Sequence, residues 1–405
     1  MKYLRYAWRN LWRNKRRTSI TLAAVTLNTA ILIAAYALMD GMVKHMVRNA
    51  TNIVMGEAQV HAEGYRDDLS FYKSINNPDA VLKAAKSHDI GAAPRSYGYG
   101  LVSVGKKSSG ALFWGIEPSI EQEVFDLAKH IQHGQFLSDT PSRGIVLGKK
   151  LARSLQTSVG SEVIVVVQAA DGSLGNELYT VTGILKTVGD EIDRGAAILH
   201  RYDFSELFVS GTRIHEIALN AQGKLTLEEL KGFITPNAQG AEVKTWKELI
   251  PALADMVGIM DFAIAVFGSI FFLAAGLGVM NTMLMATYER MREFGILKAL
   301  GTSPWRIIGN MATEAFVLTM AASVMGLVLG VGGSYYFQEV GINTAIFAGG
   351  FSFSGLAWDP IWRAVVSLKV VVIPIVVMCV ICTVASLYPA IIAARLDPVR
   401  AIHHT

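Results

Sequence analysis

The sequence predicts an α-helical membrane bundle of four transmembrane helices, with a large α+β extracytoplasmic domain inserted between helices 1 and 2. Hydrophobic residues make up 52% of the 405 residues and charged residues 17%, against about a quarter charged in a typical soluble domain. The apolar residues collect in four blocks without charge, and the stretch between the first two blocks has the composition of a soluble domain. These observations divide the chain into a membrane part and one folded insert.

Each apolar block is long enough to cross a bilayer, which takes about 20 residues in a helix. We predict membrane spans at residues 18–41, 256–287, 311–337 and 370–394. Basic residues precede the first block, as they do in a signal peptide. However, the block exceeds the about 7–15 apolar residues of a signal sequence, and no small-residue cleavage site follows it. We therefore expect a retained anchor.

Positive charge is distributed unevenly between the connecting segments. Residues 1–17 are rich in Lys and Arg and contain no acidic residue, and the segments 288–310 and 395–405 are also basic. In contrast, the basic residues of segment 338–369 are only Arg363 and Lys369. Cytoplasmic segments carry an excess of Lys and Arg. Both termini and the 288–310 loop are therefore predicted in the cytoplasm, and residues 42–255 and 338–369 outside it. Residues 1–17 also have the pattern of a basic amphipathic helix lying against membrane lipids.

Residues 42–255 mix strand and helix patterns. Asp171 and Gly172 indicate a turn, and residues 145–156 indicate the end of a strand followed by an amphipathic helix. Runs of alternating or β-branched residues predict strands. Two further segments predict helices, and the second of these helices continues into the second membrane block. The strands are predicted near 56–65, 161–168, 178–185, 196–199 and 216–220, and the helices at 225–233 and 246–257. This mixture is typical of an α+β domain.

Motifs of catalytic, nucleotide-binding and metal sites are incomplete. Residues 100–107 resemble a P-loop, but Lys107 stands where a P-loop needs Ser or Thr to hold magnesium, so we interpret the segment as a turn with exposed lysines. Cys379 and Cys382 form C-x-x-C inside the fourth apolar block, which favours packing over redox chemistry. The histidines lack metal-ligand spacing. We predict no catalytic residue, no bound cofactor and no metal, and the charge pattern does not favour nucleic acid as a partner.

The loop between the second and third blocks contains the most detailed pattern. It begins with a charged turn, continues with an apolar side on a short helix, and ends at Gly301, a favourable residue just after a helix. Ser303 and Pro304 then suit the N-cap and first turn of the next helix. The residues singled out are Glu289, Arg290, Arg292 and Glu293 for the charged turn, Phe294, Ile296, Leu297 and Leu300 for the apolar side, and Lys298 and Gly301.

Two interpretations of this loop helix remain open from the residues alone. It can be an interfacial helix that packs on lipid or on its own bundle. Alternatively, it can be a coupling helix whose apolar ridge enters a groove on a cytoplasmic partner, with the charges setting the register.

Small and polar residues mark helix contacts inside the membrane. Ala322, Gly326 and Gly330 recur every four residues and predict a close-packing face in the third block, either within one chain or across a dimer. Asn28 lies in the middle of the first block, where it can hydrogen-bond a neighbouring helix. Asp261 and Glu314 lie at block ends and indicate anchoring or capping, so no ion path is evident.

Five stretches of this sequence resemble the permeases grouped as FtsX, MacB and the lipoprotein-releasing LolC/LolE type. The loop sequence REFGILKALGTSPWRI resembles their coupling segment, AWRNLWRNKRRTSIT their opening segment, and YPAIIAARLDPVRAI their closing signature. In the insert, GIEPSIEQE and GIVLGKKLARSLQTSVGSEVIVV resemble the outer domain of the lipoprotein-releasing and MacB-type members. The resemblance covers nearly the whole chain.

The resemblance implies a permease subunit of an ABC transporter in the bacterial inner membrane, without enzymatic activity of its own. It implies a cytoplasmic ABC ATPase dimer on separate chains, which would bind ATP and Mg²⁺, and a second permease copy or paralogue. ATP binding would draw two coupling helices together, and the stalk helices would carry the movement to the outer domains. A lipoprotein substrate and a periplasmic carrier are further implied partners.

Lipoprotein release or export is the expected function, and three alternatives remain. These are MacB-like efflux of drugs or peptides, FtsX-like regulation of cell-wall enzymes, and a substrate-sensing receptor that works without an ATPase. The insert is larger than the outer domain of FtsX-type members, which disfavours the regulator. A receptor would not need the loop helix.

Overall fold

The computed structural model describes residues 9–10, 12–343, 352–353, 356–357 and 361–397. Four of its helices are long and apolar enough to cross a membrane, as predicted. Numbered along the chain, they are α1 (Lys15–Ala50), α10 (Pro251–Glu289), α12 (Pro304–Val340) and α13 (Leu368–Arg395). Each extends beyond the corresponding apolar block, because the backbone continues its helical hydrogen bonds into flanking polar residues.

Most of the predicted amino-terminal amphipathic helix lies outside the described residues, as do residues 398–405 of the tail. Within the predicted 338–369 loop, β11 (Ile342–Asn343) pairs with β14 (Ile361–Trp362), and β12 (Ser352–Phe353) pairs with β13 (Leu356–Ala357).

The chain forms two compact units, and residues 45–256, here called the inserted domain, make up most of one of them. The inserted domain contains ten strands in one sheet and short helices beside them. Its strands are β1 (Ala58–Ala62), β2 (Gly91–Val104), β3 (Lys107–Ile116), β4 (Ile131–Gly134), β5 (Gly144–Leu147), β6 (Glu162–Gln168), β7 (Leu174–Leu185), β8 (Ala196–His200), β9 (Glu216–Asn220) and β10 (Ala241–Thr245). Its helices are α2 (Tyr65–Asp68), α3 (Pro78–Ser87), α4 (Pro118–Val124), α5 (Lys149–Leu155), α6 (Asp190–Gly195), α7 (Arg201–Phe208), α8 (Leu227–Ile234) and α9 (Trp246–Leu249).

Six of these strands close into a ring. β2 pairs with β3, β3 with β8, β8 with β5, β5 with β7, β7 with β6, and β6 with β2 again. Two of the pairs, β3 with β8 and β5 with β7, are parallel. The core of this lobe includes Val102, Phe113, Val165 and Val181 from the strands and Phe204 from α7. Closing the ring removes most of the exposed strand edges that promote aggregation.

The other lobe is a four-stranded sheet in the order β10-β1-β9-β2. Helices α3 and α8 bury Val81, Ala85 and Leu230 against it. β2 belongs to both lobes, because its residues 91–95 pair with β9 and its residues 100–103 pair with β6. This one long strand therefore connects the two cores of the domain.

Each predicted strand is present, but β2, β3, β4 and β10 were not predicted. β2 contains Pro94 and three glycines, which are unfavourable in strands. Gly98 has a packing reason: a Cβ there would lie 2.4 Å from Cε1 of Phe208. The P-loop-like segment is the β2–β3 hairpin, which turns through Gly105 at φ +58°. Because a strand follows this turn instead of a helix, the segment lacks the P-loop geometry.

The single helix predicted over 246–257 is two helices. α9 ends at Leu249 and α10 begins at Pro251, with Ile250 at φ −127° and ψ 76° between them. The residue before a proline avoids the helical region, and proline suits the first turn of a new helix. The break is therefore encoded locally.

A buried arginine joins several elements of the inserted domain. Arg95 on β2 is fully buried, and it binds Glu121 of α4 through Nε (3.1 Å) and Nη2 (2.6 Å). Its Nη1 donates to Oε1 of Glu216 on β9 (3.0 Å) and to the carbonyl oxygen of Val54 (2.5 Å). Val54 lies in the π-helical turn Thr51–Met55 that follows α1. Arg95 thus connects both lobes' shared strand to the segment that enters the domain.

Glu216 is the second buried charge of this cluster. Its Oε1 accepts a hydrogen bond from Tyr97 Oη (2.9 Å), and its Oε2 lies 3.2 Å from His61 Nε2. Burial alone would raise the pKa of Glu216, but the contacts with His61, Arg95 and Tyr97 lower it to about 2. The carboxylate is therefore ionised at neutral pH, and its hydrogen bonds compensate for its burial.

We expect Arg95→Met to destabilise the inserted domain by about 3–5 kcal/mol, because removing one member of a buried ion pair leaves the others uncompensated. The measurement is hydrogen exchange of β2 and β9 in the full-length protein. Arg143→Met is the control, since Arg143 binds Glu177 at the surface, where an ion pair contributes at most about 1 kcal/mol. Equal exchange in the two variants would contradict a stabilising role for the cluster.

The same cluster predicts a pH dependence. The pKa of Glu216 is lower in the folded protein than its ordinary value of 4.5, so the folded state favours the ionised form. Its contribution to stability is fully present above about pH 4.5 and is lost as the pH falls towards about 2. In Arg95→Met this part of the pH dependence should shrink.

Candidate functional site: the loop helix

The loop helix predicted between the second and third membrane blocks is α11, Met291–Ala299. It ends as predicted at Gly301, which adopts φ +86°. The amide of Gly301 donates to the carbonyl of Lys298 (2.9 Å), and the amide of Thr302 donates to the carbonyl of Leu297 (3.0 Å). This is the Schellman arrangement, which glycine favours because it has no Cβ. Ser303 and Pro304 then begin α12.

The four apolar residues do not form the single apolar side that was predicted. Phe294 is buried and Leu297 is half-buried, whereas Ile296 is 45% and Leu300 78% exposed. Residues four apart lie on one helix face, so Ile296 and Leu300 share a stripe with the exposed Arg292. Phe294 and Leu297 occupy the opposite face. α11 therefore has one apolar face turned inward and a second one exposed.

The inward face packs on the two membrane helices that follow it. Phe294 belongs to one buried cluster with Ile307 and Met311 of α12 and Ala390 and Ala393 of α13, and Leu297 packs against this cluster. The small alanines leave room for the phenyl ring. This contact favours the first of the two open interpretations, a helix packed on its own bundle, for half of the α11 surface.

Lys298 strengthens this packing from the end of α11. Its Nζ donates to the carbonyl oxygens of Ala394 (2.9 Å) and Leu396 (2.6 Å). These carbonyls lie at the carboxyl end of α13, where a helix has unsatisfied acceptors and a partial negative charge. Lys298 therefore caps α13 while holding α11 beside it.

Arg290 connects the charged turn to the bundle. It immediately precedes α11 and is largely buried, with Nη1 3.2 Å from Glu314 Oε2 of α12 and Nε 3.2 Å from Glu293 Oε2. Its guanidinium also lies over the ring of Phe294, 5.3 Å from the centroid. Burial by itself would lower the pKa of Arg290, but the charge of Glu314 and the hydrogen bonds that Arg290 donates to both carboxylates outweigh burial and raise it, so it stays charged. Glu314 thus has a specific partner at its end of the membrane helix.

Two more ion pairs connect this turn to the beginning of the first membrane helix. Arg17 of α1 lies 3.0 Å from Glu289 Oε1, and Arg13 pairs with Glu293. Three of the four charged residues predicted in the turn therefore form ion pairs within the chain. Arg292 is the exception, since it is exposed and has no ion pair within the described part of the chain.

The structure adds two exposed aromatic residues that the sequence interpretation passed over. Trp305, in the first turn of α12, is 79% exposed, and Tyr288, near the end of α10, is 58% exposed. The SPW sequence was available as a signal, because serine at the N-cap and proline at the first helical position place Trp305 in the first turn of a helix. Together with Ile296 and Leu300, Trp305 extends the exposed apolar surface around the loop.

The predicted close-packing face of α12 lies against α1 of the same chain. A Cβ on Gly326 would lie 2.7 Å from Thr29 Cβ, and one on Gly330 would lie 2.9 Å from Ile33 Cβ. Ala322 is fully buried, and its carbonyl accepts a hydrogen bond from Thr26 (3.2 Å). Side chains larger than glycine would push α12 away from α1.

Polar contacts join other membrane helices. Asn28 Nδ2 donates to the carbonyl of Phe271 on α10 (2.8 Å), and the hydroxyls of Thr21 and Thr282 lie 2.7 Å apart. Cys379 and Cys382 are buried and not disulfide-bonded. Among the described residues, no group of His, Cys, Asp and Glu could hold a metal ion.

Comparison with known proteins agrees with this architecture. Residues 18–235 match the family described as the MacB-like periplasmic core domain, and residues 265–398 match the FtsX-like permease C-terminal family. The first match covers more than half of the chain. The protein is therefore a multi-pass inner-membrane permease of the ABC transporter class. Within that class, it belongs to the family of permeases that carry a MacB-like periplasmic core domain.

Relatives of two kinds are similar to this chain. The lipoprotein-releasing system transmembrane protein LolC of Neisseria meningitidis is 24% identical over 82% of this chain and 80% of its own length. The macrolide export ATP-binding/permease protein MacB of Nitrosomonas europaea is 24% identical over 98% of this chain. The chain spans only 58% of that protein. The crystal structure of the periplasmic region of MacB from Actinobacillus actinomycetemcomitans aligns with 49% of this chain and 92% of its own, at 16% identity and a TM-score of 0.36.

We expect Arg290→Met to loosen α11 from the bundle, with a loss of about 3–5 kcal/mol, because Glu314 would remain buried without its cation. Hydrogen exchange of residues 291–300 in the detergent-solubilised protein measures this directly. Arg292→Met makes the same chemical change at an exposed position and should alter stability by less than about 0.5 kcal/mol. If both variants exchange at the wild-type rate, Arg290 does not hold the loop helix.

Proposed function

We propose that this chain is the permease subunit through which a separate cytoplasmic ATPase moves the inserted domain, and that the movement releases lipoproteins from the inner membrane. The observation that carries the proposal is the division of α11 into two apolar faces. One face is fixed to the bundle by Phe294, Arg290 and Lys298. The other presents Ile296 and Leu300 to a partner.

The exposed face has the features of a protein-binding surface. Ile296 and Leu300 form a short apolar ridge one helical turn apart, and exposed apolar residues rimmed by charge commonly mark interaction sites. Trp305 is next to this ridge in sequence, and tryptophan and arginine dominate the binding energy of many interfaces. Arg292 and Arg306, both exposed, supply charge at the edges. An apolar helix ridge entering a partner's groove is a common recognition mode.

The inward face explains how a force on α11 would reach the rest of the chain. α11 contacts α12 and α13 through a buried cluster, and its Glu293 pairs with Arg13 in the turn just before α1. A partner that displaces α11 must therefore either break these contacts or move the attached helices. Breaking a buried ion pair is costly, so movement of the attached helices is the easier response.

The movement would reach the inserted domain through two helices. The chain passes from membrane residues into the inserted domain within α1 and returns within α10. Both connections are helical and therefore stiffer than a flexible linker. We propose that a second permease copy or paralogue completes the complex, because two ATPase subunits offer two grooves for loop helices. ATP and Mg²⁺ would be bound by the ATPase.

The comparison with the lipoprotein-releasing relative supports the proposed cargo. The relative named as a lipoprotein-releasing transmembrane protein is matched over 80% of its length, whereas the relative named as an ATP-binding macrolide exporter is matched over 58%. The second candidate function is efflux of small molecules, which the match to MacB over 98% of this chain favours. In the first case, a periplasmic carrier would accept the released lipoprotein.

We expect Leu300→Asp to abolish co-purification of the ATPase without unfolding the protein, because the change places a charge in the proposed groove contact while Leu300 is 78% exposed. The measurement is affinity capture of the tagged permease from its native membrane, with the ATPase identified by mass spectrometry. Leu174→Asp is the matched control, since Leu174 is a leucine of the inserted domain that is 74% exposed. Leu297→Asp is less suitable, because Leu297 packs against the bundle. Retention of the ATPase by Leu300→Asp would argue against this surface, and its absence from wild type would refute the coupling model.

A depletion experiment tests the cargo. Because a lipoprotein-releasing permease supplies the outer membrane, its depletion should leave outer-membrane lipoproteins in the inner membrane, as measured by fractionation and immunoblotting. Wild-type and Leu174→Asp complementation should restore sorting, and Leu300→Asp should not. Normal lipoprotein sorting combined with altered sensitivity to drugs or peptides would support efflux instead.

A further inference from the structure

The inserted domain contains a half-open cleft of about 650 Å³. Ligand sites of proteins commonly have volumes of about 300–1,000 Å³ and mostly apolar walls with few polar groups. All residues that line this cleft belong to the inserted domain. The cleft has no part in the contacts described above for the loop helix or for the packing of the membrane helices.

Aromatic side chains form much of the cleft wall. Tyr72 and Tyr99 are 66% and 59% exposed, whereas Tyr65 and Phe208 are buried and Tyr97 is half-buried. The seven aromatic residues are Tyr65, Phe71, Tyr72, Tyr97, Tyr99, Trp114 and Phe208. The faces of such rings carry negative electrostatic potential and attract cations.

The charged residues around the cleft also favour a cation. Among the described residues, Glu191, Glu216 and one cation, Arg66, line the cleft. Behind the wall, Arg95 is shared between Glu216 and Glu121, and Glu216 also lies 3.2 Å from His61, so two carboxylates face one guanidinium and one imidazole. Burial and the negative charge of Glu216 raise the pKa of Tyr65 in the wall. An organic anion is therefore disfavoured in the cleft, and a cation is favoured.

Backbone strain occurs at the cleft edge. Leu69 lines the cleft, is 43% exposed, and adopts φ 49° and ψ 35° in the left-handed region. This conformation is unfavourable for a bulky residue that has a Cβ. Strained residues of this kind concentrate at ligand-binding segments and switch regions. Here the strained residue is an exposed leucine that lines an apolar cleft.

We propose that this cleft is a binding site for a lipophilic organic cation, that is, an apolar body carrying one delocalised or amine-borne positive charge. The apolar wall would take up the body, while the tyrosine faces and the exposed Glu191 would stabilise the charge. This proposal does not depend on the ATPase or on the lipoprotein cargo proposed above, so a result against either of them would leave it unaffected.

The probe is tetraphenylphosphonium, whose uptake by the full-length protein in detergent is measured by equilibrium dialysis against empty micelles. Tetraphenylborate, an anion of nearly the same shape, tests the charge preference. Wild type should bind the phosphonium saturably with about one site per chain and should bind the borate at least tenfold more weakly.

Two variants locate the site. Tyr99→Lys removes an aromatic face and adds a like charge at the exposed edge, and it should weaken phosphonium binding at least tenfold. Tyr202→Lys is the matched control, because Tyr202 is 56% exposed on α7 and does not line the cleft. Glu191→Gln, at an exposed lining residue, should weaken binding severalfold and provides a second test if Tyr99→Lys misfolds.

Three outcomes would overturn the proposal. These are equal binding of the phosphonium and the borate, equal affinity in Tyr99→Lys and Tyr202→Lys when both are folded, and unchanged affinity in Glu191→Gln. Loss of ATPase capture in the Leu300→Asp variant would leave all three measurements unaffected, so the two proposals fail independently.

Discussion

The arrangement of the candidate site depends on the ion pair between Arg290 and Glu314. It joins the end of α10, the beginning of α11 and the membrane helix α12 at one largely buried point. Removing water from charged groups is costly, and only close geometry with further hydrogen bonds compensates for it. Glu293 and the ring of Phe294 supply those further contacts. The loop helix is consequently fixed in orientation, and this is why one of its apolar faces is buried while the other remains exposed.

The inserted domain also contains a buried arginine that is paired with carboxylates. There, Arg95 is shared between Glu121 and Glu216, and it also holds the backbone at Val54 just beyond α1. In both units a buried arginine therefore connects a membrane-helix end to the structure that follows it. A guanidinium group suits this role because its donors form a rigid, planar fork that can bind several acceptors at once. Apolar packing alone would join the same elements with less control over their orientation.

Local signals accounted for much of the fold. The four membrane helices follow from uncharged apolar blocks, and β6 and β7 follow from β-branched runs around the Asp171-Gly172 turn. β2 was missed because its glycines and Pro94 obscure the strand pattern, and Gly98 is needed only because Phe208 packs over it. In the loop, sequence predicted the end of α11 at Gly301 but treated Phe294 and Leu300 as one face. Because α12 and α13 pack on only one side of the helix, Phe294 is buried and Leu300 is exposed.

The sequence by itself determined the membrane helices, the α+β character of the insert and the bounds of the loop helix, since each depends on residues that are neighbours along the chain. The tertiary structure decided which side of α11 is free, that Gly326 and Gly330 pack on α1, and that Arg95 and Glu216 meet between two lobes. It also decided that seven aromatic residues, spread from Tyr65 to Phe208, line one cleft. These features depend on contacts between residues far apart in sequence, and local patterns of charge and hydropathy carry no record of which distant residues will meet.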